Sequence, residues 1–107
     1  MSQPNIQNLE YSDLEEYLFQ AVQDHLYSDL SGEGVVLNIR NGKYYGLNGV
    51  GVTIWNTIQV AASLQEIKSE VIREYDVSDE TCQQELVTFI KDMIREELVE
   101  VLDETDR

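Results

Sequence analysis

From His25 onward, hydrophobic and polar side chains alternate with the two-residue period of a half-buried β-strand. The runs "HLYSDL" and "VVLNIR" both show this period, and the turn composition "SGEG" separates them. The dipeptide "NG" at 41–42 is typical of a type I′ hairpin turn, and "KYYGL" returns after it. The pattern predicts a three-stranded antiparallel meander over residues 25–30, 34–40 and 43–47.

After Asn48 the hydrophobic period changes to that of a helix, and three helical segments follow. The first is "GVGVTIWNTIQ", with Asn48 as a candidate N-cap. The second begins after Ser63, which forms a capping-box pattern with Glu66. Ser78 precedes the third and longest segment, which continues towards Leu102. Three strands followed by three helices predict an α+β fold, a layout that resembles a winged-helix unit.

The first part of the chain is polar and acidic and shows no strong period. We therefore expect a flexible acidic N-terminal arm over residues 1–20, a folded domain over 21–102 and a solvated tail over 103–107. The apolar residues of the arm are candidate docking points: Leu14, Tyr17, Leu18 and Phe19.

The charge balance narrows the choice of partners. The 107 residues carry 7 Lys and Arg against 21 Asp and Glu, a formal net charge of −14, and the first basic side chain is Arg40. Such a chain repels nucleic acid and anionic membrane surfaces, and a partner is expected to carry positive charge. No apolar run is long enough to cross a bilayer, and the N-terminus lacks the pattern of a secretory signal, so we expect a cytoplasmic protein.

Candidate catalytic residues are few. His25 and Cys82 are the only residues of their types, and nothing in their spacing predicts the contact that a nucleophile–base pair needs. The adjacent acidic pairs, such as Glu96–Glu97, point about 100° apart on a helix and fit solvated charges better than a shared site. No phosphate-binding, dinucleotide or zinc motif occurs. We therefore expect neither an enzyme nor a bound metal or cofactor.

An interaction surface is the stronger hypothesis. If the strand at 43–47 is the outermost one, its free edge can accept another strand. Because side chains alternate along a strand, Tyr45 and Leu47 then face the core and Tyr44 lies beside the edge. Gly46 has no side chain, so the backbone of an added strand can approach closely there. The third helix could form a second wall through its apolar stripe, which consists of Leu86, Phe89, Ile90 and Met93. All four also fit a simple core, and only for Met93 is the groove favoured, because methionine suits adaptable surfaces.

The string "DLSGEGVVLNIRNGKYYGLNGVGVTIW", residues 29–55, resembles the PqqD-like family of leader-peptide recognition domains. The resemblance covers residues 24–101 and is most similar to the stand-alone members of lasso-peptide biosynthesis. It implies that the leader of a ribosomally made precursor peptide pairs with the third strand and enters a groove beside the third helix. The residues implied to bind the leader are Lys43, Tyr44, Tyr45, Gly46, Leu47, Glu85, Leu86, Phe89, Ile90 and Met93.

The resemblance also implies partners. In lasso systems a separate cysteine protease cuts the bound leader and a cyclase closes the core peptide, and neither step belongs to this chain. One alternative is a peptide chaperone for a radical-SAM maturation enzyme. A winged-helix DNA-binding protein is a weaker alternative, because the third helix has only Lys91 and Arg95 as basic residues. Two positions depart from the family: Glu97 replaces a helix-ending Gly, so the helix is expected to continue, and Glu85 replaces a common Asp.

Overall fold

The computed structural model describes residues 5–31 and 33–103, and Leu30 only through its backbone. Its elements, in chain order, are α1 (Tyr11–Leu14), β1 (Tyr17–Ala21), β2 (His25–Leu30), β3 (Glu33–Asn38), β4 (Tyr44–Leu47), α2 (Gly49–Thr57), β5 (Ala62–Ser63), α3 (Leu64–Glu74), α4 (Asp79–Arg95) and β6 (Val99–Asp103). The α+β class predicted from the sequence is confirmed. Within the described residues no helix has the length and apolar content that a membrane span needs.

The predicted meander is present as one sheet, in the order β2-β3-β4. Both pairings are antiparallel, and Val36 of β3 lies between Tyr27 and Tyr45 of its neighbours. The hairpin turn differs from the prediction, because Gly42 takes a positive φ of 73° and Asn41 does not. The Asn38 side chain accepts the Arg40 N–H at 2.9 Å, and this bond stabilises a longer turn than type I′. For this reason β3 ends at Asn38 and not at residue 40.

The three predicted helices begin at the predicted caps. The Asn48 side chain accepts the Gly51 N–H at 2.8 Å, and Ser78 Oγ accepts the Thr81 N–H at 3.1 Å. Ser63 and Glu66 form the full capping box of α3. The helices bury their apolar faces in one core around the side chains of Trp55, Ile54, Ile58, Leu64, Ile67, Leu86, Ile90 and Leu98.

The N-terminal segment differs from the expected arm. Residues 17–21 form β1, the central strand of a second sheet with the order β5-β1-β6. Of the expected docking points, Leu14, Leu18 and Phe19 are at most 3% exposed and Tyr17 is half-buried against the core, so none of them is free. Ile6 is buried as well. Leu18 and Phe19 are consecutive and both buried, which means that both faces of β1 are covered and explains why no alternation is visible in the sequence. Residues 1–4 lie outside the described residues.

The end of α4 corrects a second expectation. The helix stops at Arg95 because Glu97 itself adopts the left-handed conformation, with φ 62°. The Leu98 N–H bonds to the Met93 carbonyl at 2.8 Å and the Glu97 N–H to the Ile94 carbonyl at 3.0 Å, the two bonds of a Schellman motif. The chain then turns into β6, which pairs with β1 and ends at Asp103. The rest of the predicted tail, 104–107, lies outside the described residues.

Candidate functional site

Strand β4 lies at an edge of its sheet. In the described part of the chain, β3 is its only strand partner. The Lys43 carbonyl accepts the Asn38 N–H at 2.9 Å, and bonded pairs alternate along an antiparallel ladder, so Tyr45 and Leu47 also turn their main-chain groups towards β3. The N–H and C=O groups of Tyr44 and Gly46 therefore point outward, as a ladder to which another strand can pair.

The side chains of β4 alternate as the sequence predicted. Leu47 is buried and Tyr45 half-buried, whereas Tyr44 is 70% exposed. A Cβ added at Gly46 would meet no atom within 4 Å, so the space above this residue is free. The edge thus offers main-chain groups, one exposed aromatic ring and room for another backbone.

Helix α4 lies beside β4 and is tied to it at the helix C-terminus. The Tyr45 hydroxyl donates to Glu96 Oε2 at 2.5 Å, and Asn38 Nδ2 donates to the Glu96 carbonyl at 3.0 Å. This hydrogen bond to the carboxylate, followed by partial desolvation, raises the pKa of the Tyr45 phenol above its usual value. The C-terminal end of α4 is therefore fixed to the first half of β4.

The other end of β4 leads into a groove. A Cβ added at Gly51 would lie 3.4 Å from Leu47 Cβ and 3.4 Å from Phe89 Cε2, which places the end of β4, the start of α2 and the middle of α4 together. We call the depression between α2 and α4 the first groove, with a volume of about 450 Å³. Its lining residues are Asn48, Val50, Gly51, Ile54, Gln84, Glu85, Thr88, Phe89 and Asp92.

The lining combines apolar surface with negative charge. The half-buried side chains of Val50 and Phe89 give apolar surface, and Glu85 and Asp92 supply carboxylates from α4. Asp92 is paired with Arg95 at 3.0 Å, so its charge is partly compensated. Such a groove suits an apolar side chain of a ligand that carries basic groups nearby.

The structure separates the predicted helix wall into two sets. Glu85 and Phe89 line the first groove. Leu86 and Ile90 are 0% exposed and Met93 is 8% exposed, so these three lie in the core beneath the groove and offer a partner almost no surface. The apolar stripe of α4 marks the face that the core occupies, and the groove uses the flank about 100° away.

Sequence reasoning did not identify several lining residues. Gln84, Thr88 and Asp92 follow a spacing of four residues along α4 and so share one flank of the helix. That spacing is the signal by which they could have been found, once Phe89 was placed at the border of the core. The contribution of α2 carried no comparable signal, because Val50, Gly51 and Ile54 fit an ordinary helix start.

The two candidate catalytic residues, His25 and Cys82, pack against other parts of the fold. The His25 ring meets Trp55 edge-on, with centroids 4.9 Å apart, and His25 Nδ1 lies 2.7 Å from the Val22 carbonyl. Cys82 is 2% exposed in the first turns of α4, and burial raises the pKa of its thiol. A nucleophilic cysteine needs the opposite pKa shift. Among the described residues no group of three or more His, Cys, Asp and Glu could hold a metal ion.

Comparisons with known proteins give a family match and a similar solved structure. Residues 33–99 match the family described as "Coenzyme PQQ synthesis protein D (PqqD)". A solved structure described as "TbiB1 in Complex with the TbiA(beta) Leader Peptide" matches with a TM-score of 0.68 and 26% sequence identity, over 75% of this chain and 93% of that chain. No curated protein matches this chain. The family match begins with β3 and ends with the first residue of β6, and therefore includes β4, α2 and α4.

Proposed function

This chain belongs to the family of coenzyme PQQ synthesis protein D (PqqD), and we propose that it binds the leader segment of a ribosomally made precursor peptide without catalysing a reaction. The leader adds to the sheet as an antiparallel strand beside β4. The observation that carries the proposal is the free edge of β4 next to the first groove. The likeness to TbiB1, which was solved with a leader peptide, supports it.

Main-chain pairing supplies affinity that depends little on the leader sequence. The outward N–H and C=O groups of Tyr44 and Gly46 offer up to four hydrogen bonds to an added strand. Each contributes about 0.5–1.5 kcal/mol net when an extended peptide replaces water. Gly46 has no side chain to obstruct the incoming strand, and Tyr44 extends the contact on the solvent side.

Side chains of the leader supply specificity. Alternate residues of the added strand point towards the helices, and those near Leu47 reach the first groove, where Phe89 and Val50 contact apolar groups and Glu85 favours a basic neighbour. Leu86, Ile90 and Met93 act from beneath by holding this part of α4 in place. The leader-binding role of Lys43 is limited to the start of the edge, where its side chain is exposed.

The bound leader is then delivered to other proteins. We propose that a separate leader-cleaving cysteine protease and a cyclase act on the presented precursor, as in lasso-peptide maturation. Holding the leader converts the encounter of enzyme and substrate into one with a high effective concentration. The buried Cys82 and the Trp55-packed His25 play no part in these reactions.

Titration calorimetry with synthetic leader peptides, taken from the precursor genes beside this gene, tests the proposal. We expect saturable one-to-one binding with a Kd of about ten micromolar or tighter, which corresponds to about −7 kcal/mol. Scrambled peptides of the same composition are the control, because they keep charge and length. Equal binding of leader and scrambled peptide, or no binding of either, would remove the proposal.

The family description names coenzyme PQQ synthesis, and this favours a second candidate. It is the peptide chaperone for a radical-SAM maturation enzyme, which the sequence resemblance leaves open as an alternative. Both candidates use the same groove and differ in the enzyme that receives the peptide. Leader cleavage by a cysteine protease encoded beside this gene, measured with and without this chain, separates them. Faster cleavage in its presence supports the protease route, and an unchanged rate together with binding to a radical-SAM enzyme supports the second.

A further inference from the structure

A second groove lies on the opposite flank of α4. It has a volume of about 550 Å³, somewhat larger than the first. Its lining residues are Leu9, Glu10, Tyr11, Glu80, Gln83, Gln84, Val87, Thr88 and Lys91. Leu9, Tyr11 and Val87 pack on the core and are only partly buried, so the groove presents apolar surface.

One wall of the second groove comes from a segment outside the family match, which covers residues 33–99. Gln7 fixes this segment against α4, because its Nε2 donates to the Lys91 carbonyl at 3.2 Å and its Oε1 accepts from Arg95 Nη2 at 2.9 Å. Buried Ile6 and Leu14 anchor it on both sides of the groove wall. This wall of the second groove is therefore held in a defined place against α4.

The two grooves are neighbours. Gln84 and Thr88 line both of them and form the ridge of α4 that separates them. An α-helix is about 10–12 Å across, a distance that three or four extended residues span. A peptide that occupies the first groove can therefore reach the second without leaving the protein surface.

The direction of β4 determines which part of a bound peptide lies near the second groove. Strand β4 runs from Tyr45, bonded to Glu96 at the end of α4, to Leu47, which lies near Phe89 in the middle of α4. An antiparallel strand therefore starts beside Leu47 and ends beside Tyr44. The residues that precede the added strand lie next to the first groove and the Gln84–Thr88 ridge.

We propose that residues of the precursor peptide N-terminal to the added strand cross this ridge and place an apolar side chain in the second groove, between Leu9, Tyr11 and Val87. The inference rests on the proposed function and extends the leader site to a second contact. The groove carries Glu10 and Glu80 against Lys91, so a basic residue beside the apolar one complements its charge.

Two peptides test the inference on the full chain: the complete leader, and a leader that begins at the segment pairing with β4. We expect the complete leader to bind about tenfold more tightly, the effect of burying one additional apolar side chain. Equal affinity of the two peptides would overturn the inference while leaving the proposed function intact. Absence of binding by both would remove the proposed function itself.

Substitutions locate the additional contact. Val87→Ser and Leu9→Ser, one on each wall, are expected to weaken the complete leader about fivefold or more and leave the truncated leader unchanged. Val52→Ser, a half-buried helical valine that lines neither groove, is the matched control and should change neither affinity. Thermal melts confirm that each variant is folded. An equal loss for both peptides, or no loss for either, would contradict a contact in the second groove.

Discussion

The two three-stranded sheets of this protein use their strands in different ways. In the first, β1 is paired on both sides, and the consecutive residues Leu18 and Phe19 are both buried. In the second, β3 alternates between buried and half-exposed residues, and β4 has its outer edge free in the described part of the chain. We call the first the closed sheet, because both faces of its central strand are buried. We call the second the open sheet, because it presents both a face and the outer edge of β4 to solvent.

From this difference we expect the closed sheet to contribute mainly to stability and the open sheet to binding. The closed sheet is built largely from residues outside the family match, and its burial of Phe19 and Val101 contributes to the core. In the open sheet, β3 and β4 belong to the matched residues, and β4 carries the groups that a peptide can pair with. Changes in the closed sheet should therefore unfold the protein, and changes at the open edge should remove binding from a folded protein.

The largest effect is expected from Phe19→Ala in the closed sheet. Phe19 is 0% exposed, and removing its ring leaves a cavity in the core, which costs about 3–5 kcal/mol of unfolding free energy. Urea denaturation followed by circular dichroism measures it. Tyr44→Ala is the control from the open sheet: the ring is 70% exposed, and its removal should cost less than about 0.5 kcal/mol. A cost below about 1 kcal/mol for Phe19→Ala would mean that β1 is dispensable.

The next effect concerns binding through Gly46→Pro. The Gly46 N–H points away from β3, so proline removes an outward donor without breaking the sheet, and proline is tolerated at such edge positions. We expect leader affinity to fall at least about tenfold while unfolding free energy changes by about 1 kcal/mol or less. Calorimetry and urea denaturation on the same samples give both values.

Tyr45→Pro provides the matched contrast one residue away. The Tyr45 N–H points towards β3, so this proline breaks the ladder and should destabilise the fold by about 3 kcal/mol. If Gly46→Pro destabilised the protein equally, the outward orientation assigned to Gly46 would be wrong. Unchanged leader affinity in a folded Gly46→Pro variant would instead argue against strand addition at β4.

A third effect concerns the end of α4, where Glu97 takes a positive φ of 62°. A side chain in this conformation costs about 1 kcal/mol relative to glycine, so Glu97→Gly should raise the unfolding free energy by about that amount. Glu97→Ala removes the same charge without relieving the backbone and should give little gain. Equal stabilisation by Gly and Ala in urea denaturation would assign the effect to charge and not to conformation.

Glu97 also shows where sequence reasoning reached its limit at the fold level. The replacement of the usual glycine predicted a longer helix, but the Schellman bonds and the burial of Leu98 outweigh the local conformational cost. In contrast, the meander and the three helix starts were predicted, because alternation and caps at Asn48, Ser63 and Ser78 are local signals. Elements predicted from local sequence form as expected where tertiary packing favours the same structure.

The closed sheet was missed for a different reason. Strand β1 pairs with β6, about eighty positions later in the chain, and its buried faces leave no two-residue period to detect. The same applies to the second groove, whose walls come from residues near 10 and 85. At the candidate site, the edge at Tyr44–Leu47 was predictable from alternation, whereas the division between Phe89 on the surface and Leu86 in the core required the packed structure.

The smallest effect is expected for the hydrogen bond between Tyr45 of the open sheet and Glu96 at the C-terminal end of α4. Its contribution to stability should change at alkaline pH. The hydrogen bond to Glu96 raises the pKa of the Tyr45 phenol above its ordinary value of 10.0, so the folded state keeps this proton to higher pH than the unfolded chain. Its contribution to stability is complete below that value and is lost as the pH rises through the folded-state pKa. Tyr45→Phe should therefore be less stable than the native chain at pH 8, and the gap between them should narrow above pH 10. Tyr11 and Tyr27, whose pKa values burial raises, titrate equally in both proteins and cancel in the difference. A gap that stays constant across this range in urea denaturation would show that the bond between the open sheet and α4 does not depend on the Tyr45 proton.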